Sequence, residues 1–299
     1  MIPKTLPAGL AAHITALVGA VLAAEHCPWG FAHETWRVML ASGTEIIVQL
    51  RAPGSAARTR IELDPALPLR LATHGVRMPR VLAYAPPILI REYLPGFSAN
   101  TLLDGDDLLA LAAQMGALTR QLALVDPGGL PLDTTWATPE TLVAASAGHL
   151  TAVSWLEADL LNWLERWIGV IPQLFGDRPA VFSHGDFCPV NLLCANAQVI
   201  AMIDVEYARL ADRLFDAAWW AATVQYHHPV IWDRCASVFL AAAGADTPQD
   251  LPRMICLQIV GTLARLADTQ ISGMRAHWLG RLRAVLARYP HAPSAYILG

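Results

Sequence analysis

The chain has 299 residues, 55% of them apolar and 15% charged, with a formal net charge of −4. That length can bury one large core or two smaller ones, and a negative chain without a Lys/Arg cluster lacks the basic face that a nucleic-acid partner requires. Five scattered cysteines with no CxxC pair speak against a disulfide scaffold or a zinc site and fit a reducing cytoplasm.

Residues 8–24, AGLAAHITALVGAVLAA, repeat large apolar residues at helical spacing with His13 and Thr15 between them. They predict an amphipathic first helix rather than a signal peptide or a membrane span. ETWRVML and EIIVQLR then alternate as strands around the turn Ala41-Ser42-Gly43-Thr44, which predicts a hairpin. Residues 58–73 read as helical despite Pro65 and Pro68, and two short strands, RVLAY and ILIREY, end at Pro95-Gly96. Beyond Gly96 the period becomes helical over 106–124 and 150–168. Two β-type runs, VFS and VIAMIDV, surround the stretch SHGDFCPVNLL, and helices resume from Phe215 to Arg288. The pattern predicts an α+β chain of two lobes: a small, sheet-rich lobe over residues 1–95 and a larger, mostly helical lobe over 96–299 that carries a small hairpin.

Within SHGDFCPVNLL, Asp186 and Asn191 lie five positions apart between apolar anchors, and the run VIAMIDV delivers Asp204 about a dozen residues later. One carboxylate can take a proton from a hydroxyl, while an amide and a second carboxylate supply the hard oxygen ligands that Mg²⁺ prefers. These are the parts of phosphoryl transfer, where positioning and charge neutralisation carry the catalysis.

His184-Gly185-Asp186 with Asn191 resembles the H-G-D-x-x-x-x-N catalytic loop of the aminoglycoside phosphotransferase and choline kinase superfamily, a relative of the protein-kinase loop. IDVEYARLADRLFDAAWW resembles the same family's metal-binding segment, followed there by two spaced aspartates, here Asp212 and Asp216. The resemblance implies a bilobal protein-kinase-like fold and an Mg²⁺-dependent transfer from ATP or GTP to a hydroxyl of a small molecule. It implies Asp186 as catalytic base and Asn191 and Asp204 as metal ligands, with His184 bracing the loop. Ala32 and His33 fall where the family has its loop over the phosphates, and the main chain of Glu92 and Leu94 falls at the hinge that pairs with the nucleotide base.

One family feature is missing. The lysine that grips the phosphates cannot be present, because Lys4 is the only lysine. Gln49 or Arg51 stands at its place on the strand EIIVQLR, with Glu62 or Asp64 as the partner from the following helix; only the arginine would bring positive charge. On the acceptor side, Glu206, Trp219 and Trp220 are candidate contacts. Past residue 220 the carboxylates are confined to Asp233, Asp246, Asp250 and Asp268, a poor lining for a polycation. The expected acceptor is an antibiotic of the aminoglycoside or macrolide type, with a choline- or thiamine-like metabolite as the alternative. A nucleotide-binding protein without catalysis is the rival of another class.

Overall fold

The computed structural model describes residues 5–28, 33–52, 56–176 and 178–291. Helix α1, Ala8–Val18, is shorter than predicted: Gly19, at φ 115°, ends it, and Val21–Cys27 continues as strand β1. The small alanines of this stretch suit either period, so pairing decides. β1 runs antiparallel to β2, Glu34–Leu40, from Val21 opposite Leu40 to Cys27 opposite Thr35. The expected hairpin joins β2 to β3, Glu45–Leu50, with Gly43 at φ 83° in the turn. With β4, Val81–Ala85, and β5, Ile88–Glu92, these strands make an antiparallel sheet in the order β1-β2-β3-β5-β4. Leu10 and Ile14 of α1 close over Trp36, Val38, Ile46, Val48 and Ile90 as a compact apolar cluster.

The single helix expected over 58–73 is two, α2 (Ala56–Leu63) and α3 (Ala66–Thr73). Asp64 breaks them by accepting from the N–H of Ala66 at 2.9 Å ahead of the second start. Ile61, Leu67 and Leu71 join the large core beyond residue 96, so apolar packing crosses the proposed lobe boundary.

That core is helical: α4 (Leu108–Leu122), α5 (Pro139–Ala152), α6 (Ala158–Gly169), α7 (Ile171–Phe175), α8 (Phe215–His227), α9 (Pro229–Ala243), α10 (Asp250–Asp268) and α11 (Ser272–Arg288). The helix predicted over 150–168 is divided at Val153, where α5 stops, and α6 restarts at Ala158. α4 crosses α9 where Gly116 meets the carbonyl of Phe239, a contact that leaves no room for a Cβ. Two small sheets lie among the helices: β6 (Phe97–Ser98) with β8 (Leu192–Ala195) and β9 (Gln198–Met202), and β7 (Val181–Ser183) with β10 (Arg209–Ala211). The small hairpin is therefore β8–β9, and VFS pairs instead with Arg209–Ala211. Among the described residues, no helix is long and apolar enough to cross a membrane.

Candidate active site

The loop after β7 is fastened from three directions. Asp216, in the first turn of α8, accepts from the N–H of His184 at 2.7 Å and of Gly185 at 3.1 Å. The N–H of Asp186 donates to Nδ1 of His184 at 3.2 Å, which makes Nε2 the protonated nitrogen and lets it donate to the carbonyl of Ile203 at 2.9 Å. Gly185 sits at φ 82° against the Tyr207 carbonyl, so only a glycine fits. Burial pushes the Asp216 carboxyl up, while the His184 ring and the two N–H groups pull it down.

Asn191 closes a short turn, Pro189–Asn191, and its Nδ2 donates to the main-chain carbonyl of Asp186 at 2.9 Å and to its Oδ2 at 3.2 Å. The β8–β9 ladder then sets Asn191 beside the end of β9, since its carbonyl accepts from the N–H of Ile203 at 2.9 Å. Asp204 follows in a left-handed conformation, φ 66° and ψ 50°, which turns the chain sharply out of the strand. The structure thus brings Asp186, Asn191 and Asp204 to one place.

A divalent cation fits these residues. Oδ1 of Asp204 and Oε1 of Glu206 are buried without a hydrogen-bond partner. Burial, then the negative charges of Glu62 and Glu206, raise the Asp204 carboxyl above its ordinary range. Buried carboxylate oxygens that lack donors are relieved by a cation. Among the described residues no three His, Cys, Asp or Glu side chains form a complete cage. Such a partial set suits Mg²⁺, which keeps waters and phosphate oxygens in its shell.

Where the sequence places the phosphate contacts, Arg51 and Glu62 are buried together and ion-paired, and Arg91 of β5 holds the other oxygen of Glu62. Asp64 takes no part in this. Arg51 also donates to Oε2 of Glu206 at 2.9 Å, and Gln49 stands beside it on the same strand face, its Oε1 3.4 Å from Nη1 of Arg51. Ala32 lies outside the described residues. His33 points inward, 3.2 Å from Oε2 of Glu206, and its Nδ1 accepts from the N–H of Ala52. Glu206 is accordingly the centre of a buried cluster, with Arg58 also 3.7 Å away, rather than an exposed acceptor contact. Its pKa is lowered: burial opposes the charge, but His33, Arg51 and Arg58 outweigh it. At the expected hinge, the N–H of Glu92 is already spent on the carbonyl of Arg80, and its carboxylate pairs with Arg77 and Arg80. That leaves its carbonyl and the main chain of Leu94 as candidate base contacts.

Neighbouring tryptophans part company because successive helical residues point about 100° apart. Trp219 reaches the loop, its Nε1 donating to Oδ1 of Asp186 at 2.8 Å. Trp220 does not: its ring stacks on Phe239 at 3.7 Å and its N–H meets the sulfur of Met115, so it belongs to the core and not to an acceptor pocket. Sequence reasoning missed Arg265 of α10, whose Nη2 donates to Oδ1 of Asp186 at 3.1 Å. The available signal was a single arginine in an otherwise apolar helical turn.

The architecture is that of a protein-kinase-like enzyme. The profile of the phosphotransferase enzyme family, APH, matches residues 24–257, and the chain belongs to that family of small-molecule kinases. Its fold is similar to that of a choline/ethanolamine kinase family protein from Mesorhizobium loti, at 17% identity over 97% of this chain and 98% of that one, with a TM-score of 0.72. It is also similar to macrolide 2′-phosphotransferase MphH from Brachybacterium faecium, at 16% identity over 92% and 97% of the two chains, TM-score 0.69. A third likeness is to the GDP complex of aminoglycoside 2′-phosphotransferase-IIIa, at 14% identity over 93% and 99%, TM-score 0.74. No curated protein sequence matches the chain.

Proposed function

We propose that this protein is an Mg²⁺-dependent O-phosphotransferase that moves the γ-phosphoryl group of ATP or GTP to a hydroxyl of a small molecule. The observation that carries this reading is the meeting of Asp186, Asn191 and the unpartnered Asp204 oxygen beside a buried Arg51–Glu62 pair. Asp186, with its side chain 26% exposed, orients the acceptor hydroxyl and receives its proton. The acceptor oxygen bonds to the γ-phosphorus as the bond to the β-phosphate oxygen breaks, and that electron pair leaves with the nucleoside diphosphate. Asn191 and Asp204 would hold Mg²⁺, which when bound neutralises phosphate charge.

Arg51 supplies the positive charge that the missing lysine would have brought, and Glu62 fixes its direction. A buried, paired guanidinium at that point favours an active enzyme over an idle nucleotide binder. The antibiotic reading takes its support from neighbours whose structures hold aminoglycosides or that are macrolide phosphotransferases. Against an acceptor with several ammonium groups, and against a choline-like one, stands the guanidinium of Arg265 next to Asp186.

Nucleotide hydrolysis with and without Mg²⁺, followed by an acceptor panel read by the mass gain of one phosphate, tests the proposal. Turnover that requires Mg²⁺ and falls by about 10³-fold or more in Asp186→Asn, with nucleotide binding retained, is the expected result. Equal turnover in Asp186→Asn would refute it.

A further inference from the structure

Positive charge gathers on the acceptor side of Asp186. Arg265 donates to Oδ1 of Asp186 while its guanidinium carbon lies 3.9 Å from the Tyr207 ring and 5.5 Å from Trp219. Arg281, on α11, lies over the same Trp219 at 5.1 Å, over Trp278 at 4.7 Å and over Tyr226 at 5.7 Å. One indole, whose own N–H touches Asp186, therefore contacts both guanidinium groups.

Arg281 is 5% exposed, and among the described residues its one polar partner is Oγ1 of Thr223 at 3.0 Å, with no carboxylate in ion-pair reach. Aromatic faces answer the charge of a guanidinium but leave most of its five N–H donors unused. Burial pushes Arg281 down to about 10, with Asp186 pulling the other way and Arg265 adding to the fall. Asp186 offsets that burial in part, but among the described residues no carboxylate forms an ion pair with Arg281. Of the carboxylates beyond residue 220, Asp250 is taken by Arg178, Arg213 and Arg253. His227 and His277 stack 5.7 Å apart next to Tyr226, and Arg288 lines with Arg281 and Gln225 a small cavity of about 90 Å³. Asp186 does not line that cavity, which lies between α8 and α11.

We infer that the acceptor is an acidic alcohol, a hydroxylated molecule bearing a carboxylate or phosphate, and that Arg281 together with Arg265 recognises its anionic group. The inference rests on the phosphotransferase reading, in which Asp186 meets the acceptor hydroxyl. A planar guanidinium presents paired donors to carboxylate or phosphate oxygens, and the aromatic walls exclude water from that contact. Arg265 then has two partners. Without acceptor it shares Oδ1 of Asp186 with the Trp219 N–H; an incoming anion competes for it and frees its place on that oxygen for the acceptor hydroxyl. A polycation meets the same two arginines as repulsion.

Anion binding is read on protein saturated with ADP and Mg²⁺, so that the nucleotide site is filled, by titrating inorganic phosphate and acetate against tryptophan fluorescence. The expected result is a saturable response that weakens about tenfold or more in Arg281→Gln and less in Arg281→Lys, which keeps the charge. Superimposable titrations of wild type and Arg281→Gln overturn the inference. Transfer is compared on matched acceptors: glycerate against glycerol, gluconate against glucose, and glucose 6-phosphate against glucose. A kcat/KM preference of about tenfold or more for the acidic member, erased in Arg281→Gln, is expected. Preferential phosphorylation of glycerol, choline or an aminoglycoside overturns it. If no acceptor is phosphorylated, the phosphate titration alone decides. Failure of the underlying phosphotransferase reading looks different: ADP with Mg²⁺ neither binds nor protects, and no Mg²⁺-dependent hydrolysis occurs.

Discussion

The carboxylate of Asp216 holds the main-chain N–H of His184 at 2.7 Å, linking the first turn of α8 to the loop that carries Asp186 thirty positions earlier in the chain. A side chain that touches neither nucleotide nor acceptor thereby sets where the proposed base points. Asp216→Ala removes two charge-assisted hydrogen bonds, offset in part because burial disfavours the charge. The expected cost is about 2 kcal/mol in urea unfolding, with turnover down about 100-fold. Asp216→Asn, which can accept from one N–H but presents a second donor to the other, should fall between. Wild-type turnover in Asp216→Ala would show that the loop holds its shape without this tie.

Gly185 and Gly148 should respond in opposite ways to alanine. At Gly185 the left-handed backbone and the Tyr207 carbonyl both exclude a Cβ. Gly185→Ala should cost about 3 kcal/mol or more and abolish transfer, because the whole loop must shift. At Gly148, within α5, a Cβ meets nothing, so Gly148→Ala should raise stability by about 0.5–1 kcal/mol. Thermal unfolding of the two variants checks both signs.

The Arg51–Glu62–Arg91 chain predicts unequal partners. Glu62→Ala strands the buried guanidinium of Arg91 and leaves Arg51 with Glu206 alone, and should destabilise the protein by about 3–5 kcal/mol. Arg51→Lys keeps the charge and should fold, with the KM for nucleotide raised by about tenfold as the paired donors to phosphate are lost. An unchanged KM and turnover in Arg51→Ala would remove Arg51 from the nucleotide site.

Acid sensitivity should reside partly in His227. Burial, then Arg281, His277 and His228, push its pKa down to about 4 from the ordinary value of 6.5. In that window the unfolded chain binds a proton that the folded one refuses, so stability falls as the pH drops from 6.5 toward 4. His227→Gln should flatten the decline of Tm across that range and leave Tm at pH 8 nearly unaltered. A parallel decline in both proteins would place the acid sensitivity elsewhere.

The meeting of Asp186, Asn191 and Asp204 was legible because they fall within one loop and one hairpin, where spacing alone nearly fixes geometry. That Arg51 could bring the charge of the absent lysine was legible, with Gln49 left open beside it, and the structure sets the two side chains next to each other. The partner of Arg51 was not legible, because Glu62 and Asp64 lie on either side of a helix end that Pro65 creates, and only the break between α2 and α3 separates them. β1 was hidden in an alanine-rich run that fits a helix as well as an edge strand; pairing with β2 settles it. Trp219 and Trp220 looked alike until the turn of α8 sent one to Asp186 and the other against Phe239.

By itself the sequence determined which side chains gather near Asp186, because residues a few positions apart in one loop and hairpin are held together by local geometry. It also determined that no lysine stands on β3, since Lys4 is the only one in the chain. The tertiary structure alone decided what surrounds those side chains. Arg265 and Arg281 come from helices 79 and 95 positions beyond Asp186, and their approach is set by how α8, α10 and α11 pack, not by any local spacing. Charge acts through space, so the field at the Asp186 carboxylate depends on which distant helices close over it.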